Sequence, residues 1–216
     1  MTLRSLFHQN RYFFISYFVL LAFGFFILFT YSQAQGFILM NPWHDKPLDY
    51  VFIGLTLLGD GWFAIAAVVL LFVFKKRFLS LMVLSSYALS GIIAQIIKNL
   101  YDSPRPAKFL GSGEYNYFID GITLRNYSSF PSGHTTTAFA LAAALAFSIK
   151  NKNYSIGLLL IAALIGYSRI YLGQHFMQDV LAGSVIGVMS AVICELFLYN
   201  WLQKITSKGI KNESAE

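Results

Sequence analysis

Residues 13–31 read FFISYFVLLAFGFFILFTY, a run of nineteen residues without a charge. As an α-helix this run is about 28 Å long, close to the ~30 Å hydrocarbon thickness of a bilayer. Arg4 and Arg11 precede it, with no acidic residue before them. Ser32-Gln33-Ala34 resembles a signal-peptide cleavage site, but the run is longer than the ~7–15 residues of a signal-peptide core. We therefore expect a helix that is retained and crosses a membrane.

The composition of the whole chain also indicates a membrane protein. Of its 216 residues, 56% are hydrophobic and 12% are charged, whereas soluble domains carry roughly 25% charged residues. The formal net charge of +6 comes from short basic clusters between apolar runs. This distribution favours contact with anionic lipid over nucleic-acid binding. The single cysteine, Cys194, excludes an internal disulfide and is expected to pack in the interior.

Five further apolar runs predict an all-α integral membrane protein, a bundle of six transmembrane helices. We expect residues 1–206 to form a single domain and residues 207–216 a polar tail. The basic clusters of such a bundle would share one side, so the positive-inside rule places that side and both termini in the cytoplasm. The expected spans are residues 13–31, 50–74, 78–97, 133–149, 154–168 and 180–202.

Three polar clusters fall on the opposite side of the expected bundle, which would be periplasmic or extracellular. Permanent cations gathered there would repel one another unless an anion lay between them. Phosphate fits best, because guanidinium groups bind its oxygens in pairs. The clusters are Lys98 with Arg105-Pro106, then Pro131-Ser132-Gly133-His134, and then Ser168-Arg169 with His175 and Asp179.

Two of these clusters carry groups that suit phosphate chemistry. Ser132 is a favoured N-cap, and Gly133 lets the free amides of a helix N-terminus approach an anion. His134, in the first turn, is placed to hand a proton to a departing oxygen. If their segment is helical, His175 and Asp179 face the same side, and the carboxylate leaves one imidazole nitrogen free to attack. The alternative is an interfacial loop whose charges mark a membrane boundary.

In spacing and order, these clusters resemble the three signature motifs of the type 2 phosphatidic acid phosphatase (PAP2) superfamily. The resemblance covers residues 98–179 motif by motif, and the expected six spans extend it over nearly the whole chain. It implies a phosphatase without metal or cofactor that works through a phosphohistidine. Together with the compactness of the chain it also implies a bacterial inner membrane, with the outer placement of the site following from the charge bias above.

The resemblance further implies a role for each matching residue. His175 would be the nucleophile, and Asp179 would orient and charge it. His134 would protonate the leaving oxygen and then activate the water that releases phosphate. The groups that would hold the phosphoryl oxygens are Lys98, Arg105, Ser132, Gly133 and Arg169.

The expected substrate is a membrane lipid that carries a phosphate monoester or a pyrophosphate. Undecaprenyl pyrophosphate is the first choice, and phosphatidylglycerol phosphate, phosphatidic acid and the phosphates of lipid A are others. One alternative is a carrier or flippase that binds phospholipid head groups without cleaving them, although binding alone would need neither His175 nor Asp179. The other is a vanadate-dependent haloperoxidase-like enzyme, which the apolar spans disfavour because those relatives are soluble.

Several further residues carry separate expectations. Asp60 interrupts the second span. A functional role, with Lys98 or an arginine of the site as its partner, and a purely structural role are given equal weight. Glu195 is expected at the inner interface near Lys204. Gly183-x-x-x-Gly187 is expected to pack helices inside the bundle. The aromatic side chains of residues 107–130 form either a lid for the lipid chain or an ordinary aromatic belt, and the belt is favoured for most of them.

Overall fold

The computed structural model describes residues 1–111, 119 and 122–213, with side chains up to residue 205. All the regular secondary structure in this described part is α-helical, which confirms the all-α prediction. The helices are α1 (Leu3–Gln9), α2 (Arg11–Thr30), α3 (Gln33–Met40), α4 (Lys46–Leu57), α5 (Gly61–Val73), α6 (Arg77–Leu100), α7 (Pro106–Leu110), α8 (Gly133–Ser148), α9 (Tyr154–Tyr171) and α10 (Met177–Glu213).

Four helices of the described chain, α2, α6, α9 and α10, are long and apolar enough to cross a membrane. Helices α4 and α5 pass the same test only as a pair, bent by 56°. The bend falls at Gly59-Asp60-Gly61, where the Asp60 carboxylate caps α5 by accepting a 2.9 Å hydrogen bond from the Trp62 amide. Helix α8 has 16 residues, which makes it about 24 Å long. Six spanning helices therefore stay a prediction, with four or five supported by length and composition.

Helix α8 lies at the centre of the bundle, in contact with α6, α9 and α10. Its middle is rich in buried alanines, which allow neighbouring helices to approach closely. A Cβ on Gly183 of α10 would lie 2.7 Å from the Ser132 carbonyl oxygen, and one on Gly187 would lie 2.5 Å from that of Thr136. The two glycines thus pack helices inside the bundle, as predicted.

Helix α2 is packed into the same bundle. Phe13, Phe14 and Tyr17 are buried, and the Tyr17 hydroxyl lies 3.2 Å from that of Ser184 on α10. The opposite side of α2 exposes large apolar side chains, as expected of a surface in contact with lipid. The apolar run at residues 13–31 is therefore an integral part of the fold. Cys194 is buried in the core that α2 joins, as expected.

The boundary between α9 and α10 differs from the prediction. Helix α9 continues to Tyr171, so Ser168 and Arg169 lie in its last turn rather than in a connection. Gly173 then adopts φ 65°, and the Gln174 and His175 amides both donate to the Arg169 carbonyl, at 2.9 and 3.1 Å. This left-handed glycine cap ends α9 and leaves His175 ahead of α10. Helix α10 continues through residue 206, and the domain boundary expected there stays a prediction.

The far end of the bundle gathers basic groups. The Met1 amine donates to the Asn200 carboxamide oxygen at 2.6 Å. The Lys152 ammonium donates to the carbonyls of Ala146 and Phe147, at 3.0 and 2.9 Å, at the C-terminus of α8. Burial lowers the pKa of Lys152, and the Glu195 carboxylate acts in the opposite direction. Glu195 therefore has Lys152 as a neighbour, and the proximity to Lys204 expected from the sequence stays a prediction.

Candidate active site

The N-terminus of α8 forms one wall of the candidate site. Ser132 is the N-cap, as predicted, and its hydroxyl accepts hydrogen bonds from the amide and the hydroxyl of Thr135, at 3.4 and 2.8 Å. Gly133 and His134 follow as the first helical residues, whose amides have no acceptor within the helix. A Cβ built on Gly133 would meet no atom within 4 Å. The cap is therefore open to an anion on the side of Gly133.

His175 and Asp179 meet at the opposite wall, at the start of α10. Their Nδ1 and Oδ2 atoms are 3.4 Å apart, and the two side chains are 3% and 0% exposed. The predicted contact exists, but it does not arise from a shared helix face, because His175 precedes the helix. Asp179 instead reaches back to accept a 2.9 Å hydrogen bond from the Phe176 amide, as the third residue of a helix does in a capping box.

Ser129 also contacts this pair and was not identified from the sequence. Its hydroxyl donates a 2.5 Å hydrogen bond to Asp179 Oδ2 and lies 3.5 Å from His175 Nδ1. The side chain is fully buried. The only sequence signal is its position three residues before Ser132, at the edge of the second polar cluster. The structure thus places a hydroxyl, a carboxylate and an imidazole in mutual contact.

Lys98 and Arg105 converge on one turn of the chain. The Lys98 ammonium donates to the Ser128 carbonyl at 2.7 Å, and Arg105 Nη2 donates to the same oxygen at 3.4 Å. Arg105 Nε bonds to the Tyr127 carbonyl at 3.0 Å, and Nη1 bonds to the Gln174 side chain at 2.8 Å. Neutral oxygens thus anchor both cations, and their charges are not neutralised by these bonds.

Arg169 approaches from the end of α9 and is 8% exposed. Its Nη1 donates to the Thr56 hydroxyl on α4 at 2.6 Å, so the first half of the bent pair positions this guanidinium. Its Nε is buried and has no hydrogen-bond partner among the described residues. Thr56 is a second contributor to the site that the sequence did not indicate.

The electrostatics of the site keep His175 neutral. Burial lowers the pKa of His175 to about 3, and the charges of Arg105 and Arg169 lower it further, against the hydrogen bond and charge of Asp179. Burial also lowers the pKa of Arg105, and the charge of Arg125 adds to this effect. Arg125, an exposed residue of the segment before the second cluster, is a further cation near the site and was not predicted from the sequence.

His134 lies on the more open side, with its side chain 31% exposed. Its Nε2 is 3.8 Å from Oδ2 of Asp60, at the break between α4 and α5. Asp60 also interacts electrostatically with Arg169. The sequence suggested Lys98 or an arginine as partner of Asp60, and the structure adds His134.

A groove of about 170 Å³ leads away from these groups between α5, α6 and α8. One end of the groove is formed by Lys98, Gly133 and His134. Farther along α6, the groove is lined by Gly91 and Tyr87. Because α6 is one of the helices able to cross a membrane, the groove connects the polar cluster with the lipid-facing part of the bundle.

The aromatic segment at residues 107–130 is described only in part. Phe109 packs edge-on against Phe176, with ring centroids 5.4 Å apart, and Phe130 packs edge-on against Tyr101 at 6.0 Å. Tyr127 is exposed. Tyr115, Tyr117 and Phe118 lie outside the described residues. The choice between a lid and an aromatic belt stays open.

Known proteins resemble this chain over part of its length. The lipid A 4'-phosphatase of Porphyromonas gingivalis is 30% identical over 65% of this chain and 64% of its own length. The undecaprenyl-diphosphatase BcrC of Bacillus subtilis is 39% identical over 45% of this chain and 47% of its own length. The chain thus spans less than two thirds of each of these curated relatives.

A solved structure shares the fold. The crystal structure of Aquifex aeolicus LpxE superposes with a TM-score of 0.62 at 31% identity, over 73% of this chain and 91% of that one. The family model for the PAP2 superfamily matches residues 79–205, a range that contains all three polar clusters. The chain therefore belongs to the PAP2 superfamily.

Proposed function

We propose that this protein is a metal-independent phosphatase of membrane lipid phosphates that works through a phosphohistidine. The observation that carries the proposal is the 3.4 Å contact between His175 Nδ1 and Asp179 Oδ2. In this site, burial and the charges of Arg105 and Arg169 lower the pKa of His175 to about 3, against the effect of Asp179. A neutral imidazole is a nucleophile at physiological pH. Nearby cations would hold the phosphoryl oxygens and stabilise the charge that spreads over them during transfer.

The reaction divides into two transfers. In the first, a bond forms between His175 and phosphorus, and the bond from phosphorus to the lipid oxygen breaks. His134, whose protonated form is favoured by the Asp60 carboxylate 3.8 Å away, gives a proton to that leaving oxygen. In the second, His134 takes a proton from water, the water oxygen bonds to phosphorus, and the bond from phosphorus to nitrogen breaks. Inorganic phosphate leaves and both histidines return to their starting states.

Five residues would hold the phosphoryl group during both transfers. Ser132 and Gly133 present the N-terminus of α8, whose free amides and helix dipole favour an anion. Three cations supply the remaining contacts. They are Lys98, Arg105 and Arg169.

The substrate we propose is undecaprenyl pyrophosphate, followed by lipid A phosphates, phosphatidylglycerol phosphate and phosphatidic acid. The names of the two relatives above support the first two of these lipids. All of the candidates join a phosphate to a long apolar chain. The groove beside Lys98 and His134 supports such a substrate, because it extends from the cations along a helix able to cross a membrane.

We further propose that the protein spans a bacterial inner membrane with its site on the outer side and both termini in the cytoplasm. Lys152 lies at the C-terminus of α8, whereas Ser132 caps the N-terminus of the same helix. The Met1 amine lies beside Asn200, late in α10. The basic groups and the candidate site are therefore at opposite ends of the bundle, and the positive-inside rule assigns the basic end to the cytoplasm.

Phosphate release from a panel of these lipids, measured with the detergent-solubilised protein and full kinetics for each, tests the proposal. His175→Ala should abolish both turnover and an acid-labile phosphoenzyme. His134→Ala should slow turnover strongly while His175 remains able to accept phosphate from a substrate with a good leaving group. Wild-type activity in His175→Ala would refute the assigned roles. Lipid binding without phosphate release from any member of the panel would favour a carrier.

A further inference from the structure

The Ser129 hydroxyl occupies a place in the candidate site that the proposed mechanism does not use. It lies 2.5 Å from Asp179 Oδ2 and 3.5 Å from His175 Nδ1. Asp179 Oδ2 is itself 3.4 Å from the same nitrogen and accepts the Phe176 amide. Two oxygens, one from a hydroxyl and one from a carboxylate, therefore flank Nδ1 of the histidine.

The hydrogen positions around Nδ1 follow from what each group is able to donate. A carboxylate has no hydrogen to give, so the short contact between Ser129 and Asp179 contains the hydrogen of the hydroxyl. Because the hydroxyl hydrogen is donated to Asp179, the hydroxyl oxygen is able only to accept a hydrogen bond from His175. Both oxygens beside Nδ1 are therefore acceptors.

We propose that Ser129 is a positioning residue that fixes the tautomer of His175. With two acceptors beside it, Nδ1 carries the proton, and Nε2 keeps the lone pair needed to attack phosphorus. Both contacts to Nδ1 are longer than a normal hydrogen bond, 3.4 Å from Asp179 and 3.5 Å from Ser129, so neither oxygen alone holds the ring tightly. Ser129 adds the second acceptor and anchors the carboxylate. As a statement about catalysis, this inference rests on the proposed phosphohistidine mechanism.

The backbone around Ser129 is held without the help of its hydroxyl. The Ser129 amide donates to the Ser103 carbonyl at 3.1 Å, and the Phe130 amide donates to the Ser103 hydroxyl at 2.8 Å. The Ser128 amide donates to the Asp102 carboxylate at 3.1 Å. Removing the hydroxyl of Ser129 therefore leaves the turn in place, and its effect reports on His175 and Asp179.

The direct test is the tautomer of His175, read from the imidazole ¹⁵N shifts of histidine-labelled protein in detergent, with His175→Gln to assign the signals. The wild type should show a protonated Nδ1 and a bare Nε2. Ser129→Ala, and the similarly sized Ser129→Cys, should shift the population towards a protonated Nε2. Ser86→Ala is the matched control, because Ser86 is equally buried but bonds to the Met82 carbonyl at 2.7 Å.

Kinetics give the second measurement. The rate of phosphohistidine formation should fall about 10- to 100-fold in both Ser129 variants, with KM changed less than about threefold, because the lost interaction orients the nucleophile rather than the substrate. Ser86→Ala should behave as wild type in both measurements. The signals of His44, which contacts Asp49 and Asn41, verify that each variant is folded.

The two measurements separate the inference from the proposed function. If the wild type releases no phosphate from any lipid, the proposed function fails, and the tautomer spectrum still tests Ser129. If the spectrum of His175 is unchanged in Ser129→Ala and Ser129→Cys, the inference is overturned whatever the activity. A wild-type rate of phosphohistidine formation in both variants would overturn it as well.

Discussion

Replacing Gly183 by alanine tests whether the contact between α8 and α10 sets the geometry of the site. The new Cβ would lie 2.7 Å from the Ser132 carbonyl oxygen, a backbone atom. The two atoms must separate by about 0.7 Å to reach the 3.4 Å of an ordinary contact. Ser132 caps α8, and its amide donates to the Asp179 carbonyl at 3.0 Å. The substitution therefore moves the two walls of the site apart.

The size of the effect follows from this displacement. A misplacement of about 1 Å is able to cost about 100-fold in rate, so a shift of about 0.7 Å predicts a loss of roughly 10- to 50-fold in kcat. Overpacking costs about 1–3 kcal/mol of stability, and alanine returns about 1 kcal/mol of helix propensity relative to glycine. The net loss of stability is therefore small, about 0–2 kcal/mol, while the loss of activity is large.

The assay is phosphate release from a lipid phosphate, paired with thermal unfolding of the same detergent-solubilised sample. Gly157→Ala in α9 is the matched control, because a Cβ at that exposed helical position meets nothing within 4 Å. The control should keep full activity and gain slightly in stability. Wild-type kcat in Gly183→Ala would show that the site tolerates the displacement, and the reasoning would then be wrong.

Four further outcomes are expected. Asp60→Asn keeps a side-chain oxygen to cap α5 but removes the charge 3.8 Å from His134, so turnover at pH 7 should fall about 3- to 10-fold. Thr56→Val leaves a buried Arg169 donor unsatisfied and should raise KM about tenfold, whereas Thr56→Ser should not. The pKa of His175 is about 3 in the folded protein and about 6.5 in the unfolded chain. Between these two pH values the unfolded chain binds a proton that the folded protein does not, so lower pH favours unfolding. On acidification from pH 7 to 5, the free energy of unfolding should therefore fall more for the wild type than for His175→Gln. The difference between the two should grow by at most ~1.4 kcal/mol per pH unit. A metal chelator should leave phosphate release unchanged, and strict dependence on a divalent cation would contradict the mechanism.

The meeting of the three polar clusters was predictable because the apolar runs between them place all three on one side of the expected bundle. The helix ends near the clusters are also marked locally. Ser132 before an apolar run identifies an N-cap, and the small residues Gly183 and Gly187 identify a close helix contact. Both features are set by residues adjacent in the chain or one helical turn apart. Local signals of this kind placed the start of α8 and indicated that α10 packs closely inside the bundle, without identifying α8 as its partner.

The contacts of Ser129 and Thr56 were not predictable in the same way. Ser129 meets a carboxylate fifty residues later, and Thr56 meets a guanidinium 113 residues later. No periodicity connects positions so distant. The position of His175 ahead of α10 was predictable, because a glycine such as Gly173 commonly marks the end of a helix. The prediction instead placed His175 and Asp179 on one helix face and did not use the glycine.

The anchoring of Lys98 and Arg105 on the Ser128 carbonyl has a consequence for turnover. Among the described residues no carboxylate lies within salt-bridge distance of either cation, and the charge of Asp179 acts on them only from farther away, so much of their charge remains available to an entering anion. Inorganic phosphate has the same oxygens as the group that is transferred, and it needs no apolar chain to bind. In the proposed mechanism the charges that attract the lipid would also retain the product, so we expect inorganic phosphate to inhibit competitively and to leave slowly.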